Sequence, residues 1–582
     1  MNTLITSILL AALTWYPAPD WQDEPDRVAS PHAKKGGTIR FNGSQAPKSL
    51  NGYVDTNTYT MMTFGLMYEN LLTTDTDTLD FAPGLARYWA VSDDGEEFVF
   101  VLDERAKWSD GVPITADDVK WTFDTVMDAK NDTGSWKMLL GMFESPEVLD
   151  RRTVRFRKKP GSEKDWRDLQ HVGFFYILPK HAFENQDFNK LDLVGAPVCG
   201  AYQISRIAEQ VETEFTRVEN WWRSDMPSSR GVCNFDRLVM RYYIDNENAF
   251  EALKKRTIDV YPVYTARIMG GETHGEKFDR NWIVKRRVKN HNPVGFQGFA
   301  MNMRKPPFDD LRVRKAMAML VDRETMNRTM MFSEYFLLKS FYTDLYDSEH
   351  PCANPEFKYD VEGAKKLLAE AGWKKNEKGV LEKDGREFRF TFLSRASSED
   401  KFLSLFNHAL EQCGIKMNIA RKDFAGWMRD MDDFNFEMTW ASWGGSIFRS
   451  PEITWLSAEA DRKGSNNVTG FKSAEVDEII RAEKLMMKMS DRADAYRRID
   501  RLVSEQVPYV LLWNIAETRL LYWNKFGTPD TVLGKFSNED CIFGYWWYDE
   551  DRAGELAEAV ANRECLPSVP LRVSYDEARN AR

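Results

Sequence analysis

The sequence predicts an α/β or α+β protein, because strand-like and helix-like segments alternate along its 582 residues. Strand patterns occur at residues 35–42, 96–103 and 152–158, and a helix pattern follows the second of them. Farther along, a helix, a glycine and a strand follow one another at Gly372 and again at Gly414. At roughly 150 residues per domain, a chain of this length is expected to form two to four domains.

The three strand patterns of the first half differ in which face they bury. Residues 35–42, KGGTIRFN, follow a polar leader and are expected to form the first strand. In residues 96–103, large apolar side chains alternate with valines, which predicts a strand that is partly buried on both faces. In residues 152–158, Val154 and Phe156 are expected to point inward and the arginines beside them outward.

A turn and a capped helix are predicted between the second and third strands. Asp110 and Gly111 form a typical turn pair. Thr115 and Asp118 have the spacing of a capping box, in which the side chain of each residue accepts a hydrogen bond from the backbone N–H of the other. The helix that begins there carries one apolar stripe, formed by Val119, Phe123 and Val126.

A second series of elements begins near Phe299. The pair Pro306-Pro307 ends the preceding strand, and Asp309 or Asp310 can cap a helix that carries an apolar stripe. That stripe consists of Leu311, Ala318 and Val321. The elements expected afterwards are a helix at 360–371, a strand at 386–393, a helix at 399–413 and a strand at 415–420.

Composition and charge argue against nucleic acid as a partner and for large packed cores. The net charge is −11 with a pI near 5.5, so the chain has no basic footprint for nucleic acid. Hydrophobic residues make up 43% and aromatic residues 13%, which is enough for large packed cores. The same aromatic residues would suit a cleft that grips a ligand by ring contacts.

The N-terminal segment has features of an export signal. Leu4 to Leu13 form an apolar run of the length of a signal h-region, too short to cross a bilayer. A basic n-region is missing, and no clear A-x-A site stands before Asp20, so a buried N-terminal strand is the alternative. Because no cysteine occurs in the first 30 residues, we expect an exported protein without a lipid anchor.

The sequence shows no compact catalytic, metal or cofactor motif. It contains no HExxH, G-x-S-x-G or phosphate-binding loop. The run Asp75–Asp80 resembles a calcium loop, but Leu79 occupies a ligand position and the required glycine is absent. We therefore expect a protein that is not an enzyme, with a secreted glycosidase or peptidase as the alternative. The six cysteines do not define a disulfide framework: Cys199, Cys233, Cys352, Cys413, Cys541 and Cys565.

Several long motifs, in the correct order, resemble the family 5 extracellular solute-binding proteins, which serve peptide and nickel importers. The resemblance covers roughly residues 35 to 550. One departure is Gly52, which stands where proline is usual. The matching motifs are SDDGEEFVFVLDERAKWSDGVPITADDVKWTFD (92–124), GSQAPKSLN (43–51), FAMNMRKPPFDDLRVRKAMAMLVDRETM (299–326) and GSNNVTGFKSAEVDEII (464–480).

Two further segments are similar to the YejA-like branch of that family. They are RGVCNFDRLVMRYYIDNENAFEALKKRTIDV (230–260) and FGYWWYDEDRAGELAEA (543–559). This branch is associated with the uptake of oligopeptides and microcin C. The resemblance implies that the protein is periplasmic and monomeric, and that it captures oligopeptides or peptide-like solutes for the permease and ATPase subunits of an ABC importer. An oligosaccharide or opine-like cargo is the alternative, favoured by the many tryptophans.

The resemblance also implies a two-lobed periplasmic-binding-protein-like fold with a large extra subdomain. The cargo would be enclosed in a cleft between the lobes by hinge closure. Residues 1–34 would be a signal-like segment and leader, and 298–509 the second lobe. The first lobe would combine residues 36–75, 198–297 and 510–582, with a subdomain inserted at 76–197.

The segment Met438–Ser450 is the first candidate for ligand contact. Trp440 and Trp443 could wall a pocket, and Gly444-Gly445 would let a backbone approach a ligand closely. In peptide-binding relatives this stretch carries an aspartate that pairs with the α-amino group of the ligand; here the matching position is Ser446, which puts recognition of a free amine in doubt. Arg449 could bind a carboxylate or phosphate through two hydrogen bonds.

The loop that follows the first strand is the second candidate. Ser44, Gln45, Lys48, Asn51 and Tyr53 offer neutral hydrogen-bonding groups and one cation. Tyr59 follows shortly afterwards, and Asn302 and Arg304 lie near the expected crossover to the second lobe. For each of these residues a structural role is the alternative: the tryptophans in a core, the loop as a solvated turn, the arginines at the surface.

Overall fold

A computed structural model describes residues 13–43, 46–486 and 488–581. The chain forms two compact units. The first unit contains the described residues up to Thr265, Thr273–Asn290 and those from Glu517 onward, and the second contains Ala266–Glu272 and His291–Ala516. Sheets and helices occur in both units, which confirms the α/β class.

An eight-stranded mixed sheet organises the first unit. Its central strand, Thr38–Asn42, is the first strand that the sequence predicts, and it pairs in parallel with both neighbours. Ile39 and Phe41 of this strand are buried, because the sheet packs into the main core of the unit. In spatial order the strands are Arg572–Ser574, Ile283–Lys289, Thr518–Trp523, Val260–Pro262, Thr38–Asn42, Arg237–Arg241, Glu212–Arg217 and Tyr202–Ala208.

A second sheet of the first unit is antiparallel and has five strands. In spatial order they are Leu13–Tyr16, Ala86–Ser92, Glu97–Leu102, Thr153–Arg157 and Glu147–Asp150. Val154 and Phe156 are buried as predicted. Arg155, expected to point outward, lies between them on the other face of the strand, yet it is only 6% exposed, and its guanidinium bonds to Glu147 across the strand pair at 2.5 Å.

The edge strand Leu13–Tyr16 begins where the N-terminal apolar run ends. It pairs with Ala86–Ser92, and the ring of Tyr16 stacks on Trp89 with centroids 5.7 Å apart. The predicted signal-like segment and leader span residues 1–34, of which residues 1–12 lie outside the described residues.

The capping box that the sequence predicts is present in the first unit. The backbone N–H of Thr115 donates to the carboxylate of Asp118 at 2.9 Å, and the helix Ala116–Met127 buries the predicted apolar stripe. The other helices of this unit are Thr58–Met67, Gly134–Leu140, Asp168–Gly173, Lys180–Phe183, Asn246–Lys254, Glu276–Asp279, Ile542–Tyr545, Glu550–Asn562 and Tyr575–Asn580. Two small strand pairs complete it, Leu72–Thr74 with Phe81–Pro83 and Phe526–Gly527 with Trp547–Tyr548.

The second unit is built on a five-stranded mixed sheet that separates two cores. Phe299 and Met301 point into one core and Phe296 and Ala300 into the other, as the alternation of side chains along a strand requires. In spatial order the strands are Lys416–Arg421, Arg389–Ser394, Met438–Trp443, Phe296–Met301 and Tyr509–Leu511. Short strands lie at Phe336–Leu337, Lys374–Lys375, Leu381–Lys383, Arg386–Glu387 and Trp513–Asn514.

Helices cover both faces of this sheet, and their ends follow the sequence signals. Asp310 caps the helix Leu311–Met319 by accepting from the N–H of Arg312 at 2.9 Å, while Val321 is buried beyond the end of that helix. Gly414 ends the helix Asp400–Cys413 with a φ of 85°. The remaining helices are Arg323–Met330, Val361–Glu370, Phe424–Asp432, Glu452–Trp455, Ala474–Glu483 and Met489–Gln506.

Within the described ranges, no helix has the length and apolar character needed to cross a bilayer. The six cysteines all lie in those ranges, and each is a free thiol there.

Candidate functional site

A cavity of about 920 Å³ lies in the first unit, and we call it the unit 1 cavity. This volume falls within the range of roughly 300–1,000 Å³ that small-molecule sites occupy. Four parts of the unit line it: the end of the strand Thr38–Asn42, the helix Thr58–Met67, the segment from Val260 to Tyr264, and residues 537–544. Tyr176 completes the lining.

The helix Thr58–Met67 provides a wall of adaptable apolar groups. It begins at Asn57, whose side chain accepts from the N–H of Tyr59 at 2.8 Å. Tyr59, Met61 and Met62 line the cavity and are only partly buried. Methionine side chains are flexible and polarisable, so this wall can adapt to ligands of different shape.

Packing beneath the cavity fixes the segment 537–544. Ile542 and Phe543 are buried in the core of the first unit. The ring of Phe543 packs on Phe41 of the central strand, with ring centroids 4.1 Å apart. These contacts anchor the short helical turn Glu539–Cys541, whose three residues line the cavity.

The acidic groups of that turn give the cavity a negative wall. The hydroxyl of Tyr264 donates a hydrogen bond to the carboxylate of Glu539. Burial raises the pKa of Glu539 above its ordinary value, and the adjacent Asp540 adds to this rise. The pKa of Asp540 is also raised by the surrounding protein, although its side chain is accessible to solvent from the cavity side.

The residues predicted in the loop after the first strand have different surroundings. Ser44 and Gln45 lie outside the described residues. Asn51 is buried and donates to the carbonyl of Phe188 at 2.8 Å. Tyr53 is 1% exposed, and its hydroxyl donates to the carbonyl of Tyr176, so direct contact with a ligand would require this side chain to leave the core.

The two predicted tryptophans of the second unit are held by hydrogen bonds within that unit. Trp440 is 8% exposed, and its Nε1 donates to Gln297 at 2.9 Å while its ring packs in the core. Trp443 is half-buried, and its Nε1 donates to the hydroxyl of Tyr509 at 3.1 Å. Trp443 therefore keeps more free ring surface than Trp440 does.

The segment after Trp443 contains one open glycine and one closely packed glycine. A Cβ on Gly444 would meet nothing within 4 Å, whereas a Cβ on Gly445 would lie 2.4 Å from the carbonyl oxygen of Pro293. Gly445 is thus needed for packing within the unit, and Gly444 alone leaves room for a ligand. Ser446 is exposed, and its hydroxyl donates to the carbonyl of Phe448 at 2.9 Å.

The predicted arginines and Asn302 take part in structural contacts. The guanidinium of Arg449 pairs with Asp344 and lies 5.6 Å from the ring centroid of Tyr342. Arg304 donates to main-chain carbonyls, among them that of Val468 at 2.8 Å. Asn302 is buried and donates to the carbonyls of Phe434 and Phe436.

Sequence reasoning missed the acidic wall and most of the cavity lining. Glu539 and Asp540 were not singled out, and neither were Tyr264 and Met62. The only local signal was an acidic pair directly before the apolar run that begins at Cys541, and such pairs are common at surfaces.

Comparisons with known proteins agree with this architecture. The model of the bacterial extracellular solute-binding proteins, family 5 (middle), matches residues 80–465. YejA of Escherichia coli K12 is 27% identical over 576 residues, covering 92% of each chain. The probable peptide-binding protein YejA of Agrobacterium fabrum is 26% identical over 561 residues, covering 88% of this chain and 90% of the relative.

A solved structure shows the same fold. The oligopeptide-binding protein AppA of Bacillus subtilis, in complex with a nonapeptide, superposes with a TM-score of 0.66 at 20% identity, covering 89% of this chain and 99% of AppA. The family match extends over most of the chain, and the YejA relatives span nearly all of it. The protein therefore belongs to the bacterial extracellular solute-binding proteins of family 5.

Proposed function

We propose that this protein captures peptides outside the cytoplasm and delivers them, chemically unchanged, to the permease and ATPase subunits of an ABC importer. The unit 1 cavity is the observation that carries the proposal, because it has a volume of about 920 Å³ and a mixed apolar and polar lining. A peptide presents both kinds of surface. Family membership and the names of YejA from Agrobacterium fabrum and of AppA support peptides as the class of cargo.

The chemistry of the lining supports binding rather than turnover. Its titratable side chains are two carboxyls, three tyrosines and the thiol of Cys541. Burial raises the pKa of this thiol, which keeps it protonated and a poor nucleophile at neutral pH. No histidine occurs among the described residues that line the cavity, so the thiol has no imidazole base there.

Calorimetry and mass spectrometry with a mixed peptide library test this proposal. We expect bound peptides with an affinity of about micromolar or tighter, about −8 kcal/mol, and we expect them to be recovered uncleaved. Met62→Ala should weaken binding several-fold, because Met62 lines the cavity. Met138→Ala is the matched control, since Met138 is highly exposed on another helix of the same unit.

Three results would contradict the proposal. One is binding of sugars with no binding of any peptide. Another is recovery of cleaved peptides, which would indicate an enzyme. The third is equal affinity for Met62→Ala and Met138→Ala, which would place the cargo outside the unit 1 cavity.

A further inference from the structure

The unit 1 cavity contains two neighbouring carboxyl groups, and no basic side chain in the described part of the chain pairs with either of them. Among the described residues, neither Glu539 nor Asp540 forms an ion pair, whereas Asp77 and Asp103 of the same unit do. The charged residue that adds to the raised pKa of Glu539 is Asp540, which has the same sign. The wall therefore carries two acidic groups with no paired cation among the described residues, and the hydroxyl of Tyr264 donates a hydrogen bond to one of them, Glu539.

Placing two carboxylates side by side without a nearby cation costs free energy. Two adjacent carboxylates repel each other, and the protein around them removes part of their hydration. Burial raises the pKa of both groups, and the neighbouring Asp540 adds to the rise for Glu539. A cation that enters the cavity would relieve the repulsion and replace the lost hydration, so it would bind more tightly than a neutral group of equal size.

The surroundings favour an organic cation over a metal ion. Within the described ranges, no group of three His, Cys, Asp or Glu side chains is arranged to hold a metal. The cavity also carries aromatic rings, and Tyr264, whose hydroxyl bonds to Glu539, is 58% exposed. Aromatic faces attract ammonium and guanidinium groups but contribute little to divalent metal binding.

We propose that Glu539 and Asp540 hold a cationic nitrogen of the cargo, either the α-ammonium group of a peptide or a basic side chain. The inference rests on the proposed function and specifies which peptides are captured. The proposal places the acidic groups that bind the cation in the first unit. The expected position in the second unit, Ser446, carries no charge. The acid Asp461, also in the second unit, is already paired with Lys472 at 2.6 Å.

A competition experiment tests the inference and separates the two sources of the cation. The protein is offered equal amounts of a pentapeptide library in three forms: with free amine but no lysine or arginine, N-acetylated with one lysine, and fully acetylated without any cation. Retained peptides are counted by native mass spectrometry. We expect at least one cationic form to be enriched about tenfold over the neutral form, or about 1.4 kcal/mol.

Variants then connect this preference to the two carboxyls. In Glu539→Gln/Asp540→Asn the enrichment should fall below about twofold, because both replacements keep the shape and remove the charge. Asp540→Asn alone should also reduce the enrichment of cationic peptides. Because Asp540 is accessible to solvent, this variant is expected to fold normally. Glu555→Gln is the matched control, since Glu555 is an exposed acid of the same unit outside the cavity, and it should keep the full preference.

The outcomes distinguish the inference from the proposed function. If wild type retains neutral and cationic peptides equally, or if the double variant keeps the preference, the inference is overturned while peptide capture stands. If wild type retains no peptide of any form, the proposed function is overturned and the inference with it.

Discussion

Asp500 is expected to be the most sensitive single position for the stability of the second unit. It lies in the helix Met489–Gln506 and is fully buried. Its carboxylate accepts hydrogen bonds from the hydroxyls of Ser340 and Tyr346, both at 2.7 Å. It also accepts from the N–H of Phe341 at 2.8 Å and from the amide of Asn354 at 2.6 Å. One side chain thus ties the segment 340–354 to this helix.

The geometry gives a magnitude for two replacements. In Asp500→Ala, four donors lose a buried acceptor, and the cost is about 4 kcal/mol, near the value for removing one partner from a buried polar network. In Asp500→Asn, the oxygen can still accept from Phe341, and the new NH₂ can donate to the two hydroxyl oxygens. Only the amide of Asn354 then faces another donor, so the expected cost is about 2 kcal/mol.

Asp494, on the same helix, provides a control that separates the effect of losing buried hydrogen bonds from the effect of losing a charge. Asp494 is 74% exposed on its side chain and pairs only locally with Arg497 at 2.5 Å. Asp494→Ala removes the same charge, and we expect it to cost at most about 0.5 kcal/mol.

The assay is urea unfolding of the full chain, combined with hydrogen exchange of the amides in residues 340–354. Two units need not unfold in one step, so the exchange measurement shows that the loss belongs to this segment. The amides of residues 340–354 should lose most protection in Asp500→Ala and less in Asp500→Asn, compared with the wild type. The reasoning is refuted if Asp500→Ala costs less than about 1 kcal/mol, or if Asn and Ala are equivalent.

Three further predictions concern the first unit and the open glycine. Thr115→Ala should cost about 1 kcal/mol in thermal unfolding, because it removes one half of a formed capping box; no loss would mean that Asp118 alone caps the helix. Gly444→Ala should leave stability unchanged, whereas Gly445→Ala should lower stability because its Cβ would meet a backbone carbonyl. If calorimetry also shows a weaker peptide affinity for Gly444→Ala, Gly444 contacts the ligand. Preference for cationic peptides should decline as pH falls, and at a higher pH than for an ordinary carboxyl, because a raised pKa means that Glu539 takes up its proton earlier; a preference constant down to pH 4 would contradict this.

Local chemistry explains which parts of the fold were predictable from sequence. The capping box at Thr115 and the left-handed glycine at Gly414 depend on residues a few positions apart, and the structure confirms both elements. Alternation along one strand predicted that Arg155 points outward, but it does not report on neighbouring strands, so the burial of Arg155 beside Glu147 could not be predicted. The lobe limits that the family resemblance implies, including 298–509, stay a prediction.

The candidate site was harder to predict because its lining comes from distant parts of the chain. Phe41, Met62, Tyr264 and Glu539 meet in the unit 1 cavity although hundreds of residues separate the first from the last. Neither periodicity nor a motif in the sequence predicts that these distant segments come together. The sequence could identify segments rich in aromatic residues, but it could not tell which rings face a cavity.

Aromatic residues and charged residues therefore carry different information about a binding site. A tryptophan in a core and a tryptophan in a ligand pocket have the same local sequence pattern, and Trp440 shows how a residue proposed for a pocket can serve packing. A carboxylate is different, because a folded protein normally compensates it with a cation, a hydrogen-bond network or water. Asp500 is compensated by four donors, and Asp461 by a lysine. Asp540 lines a cavity and is paired with no cation among the described residues, so our proposal assigns that pairing to a cationic group of the cargo.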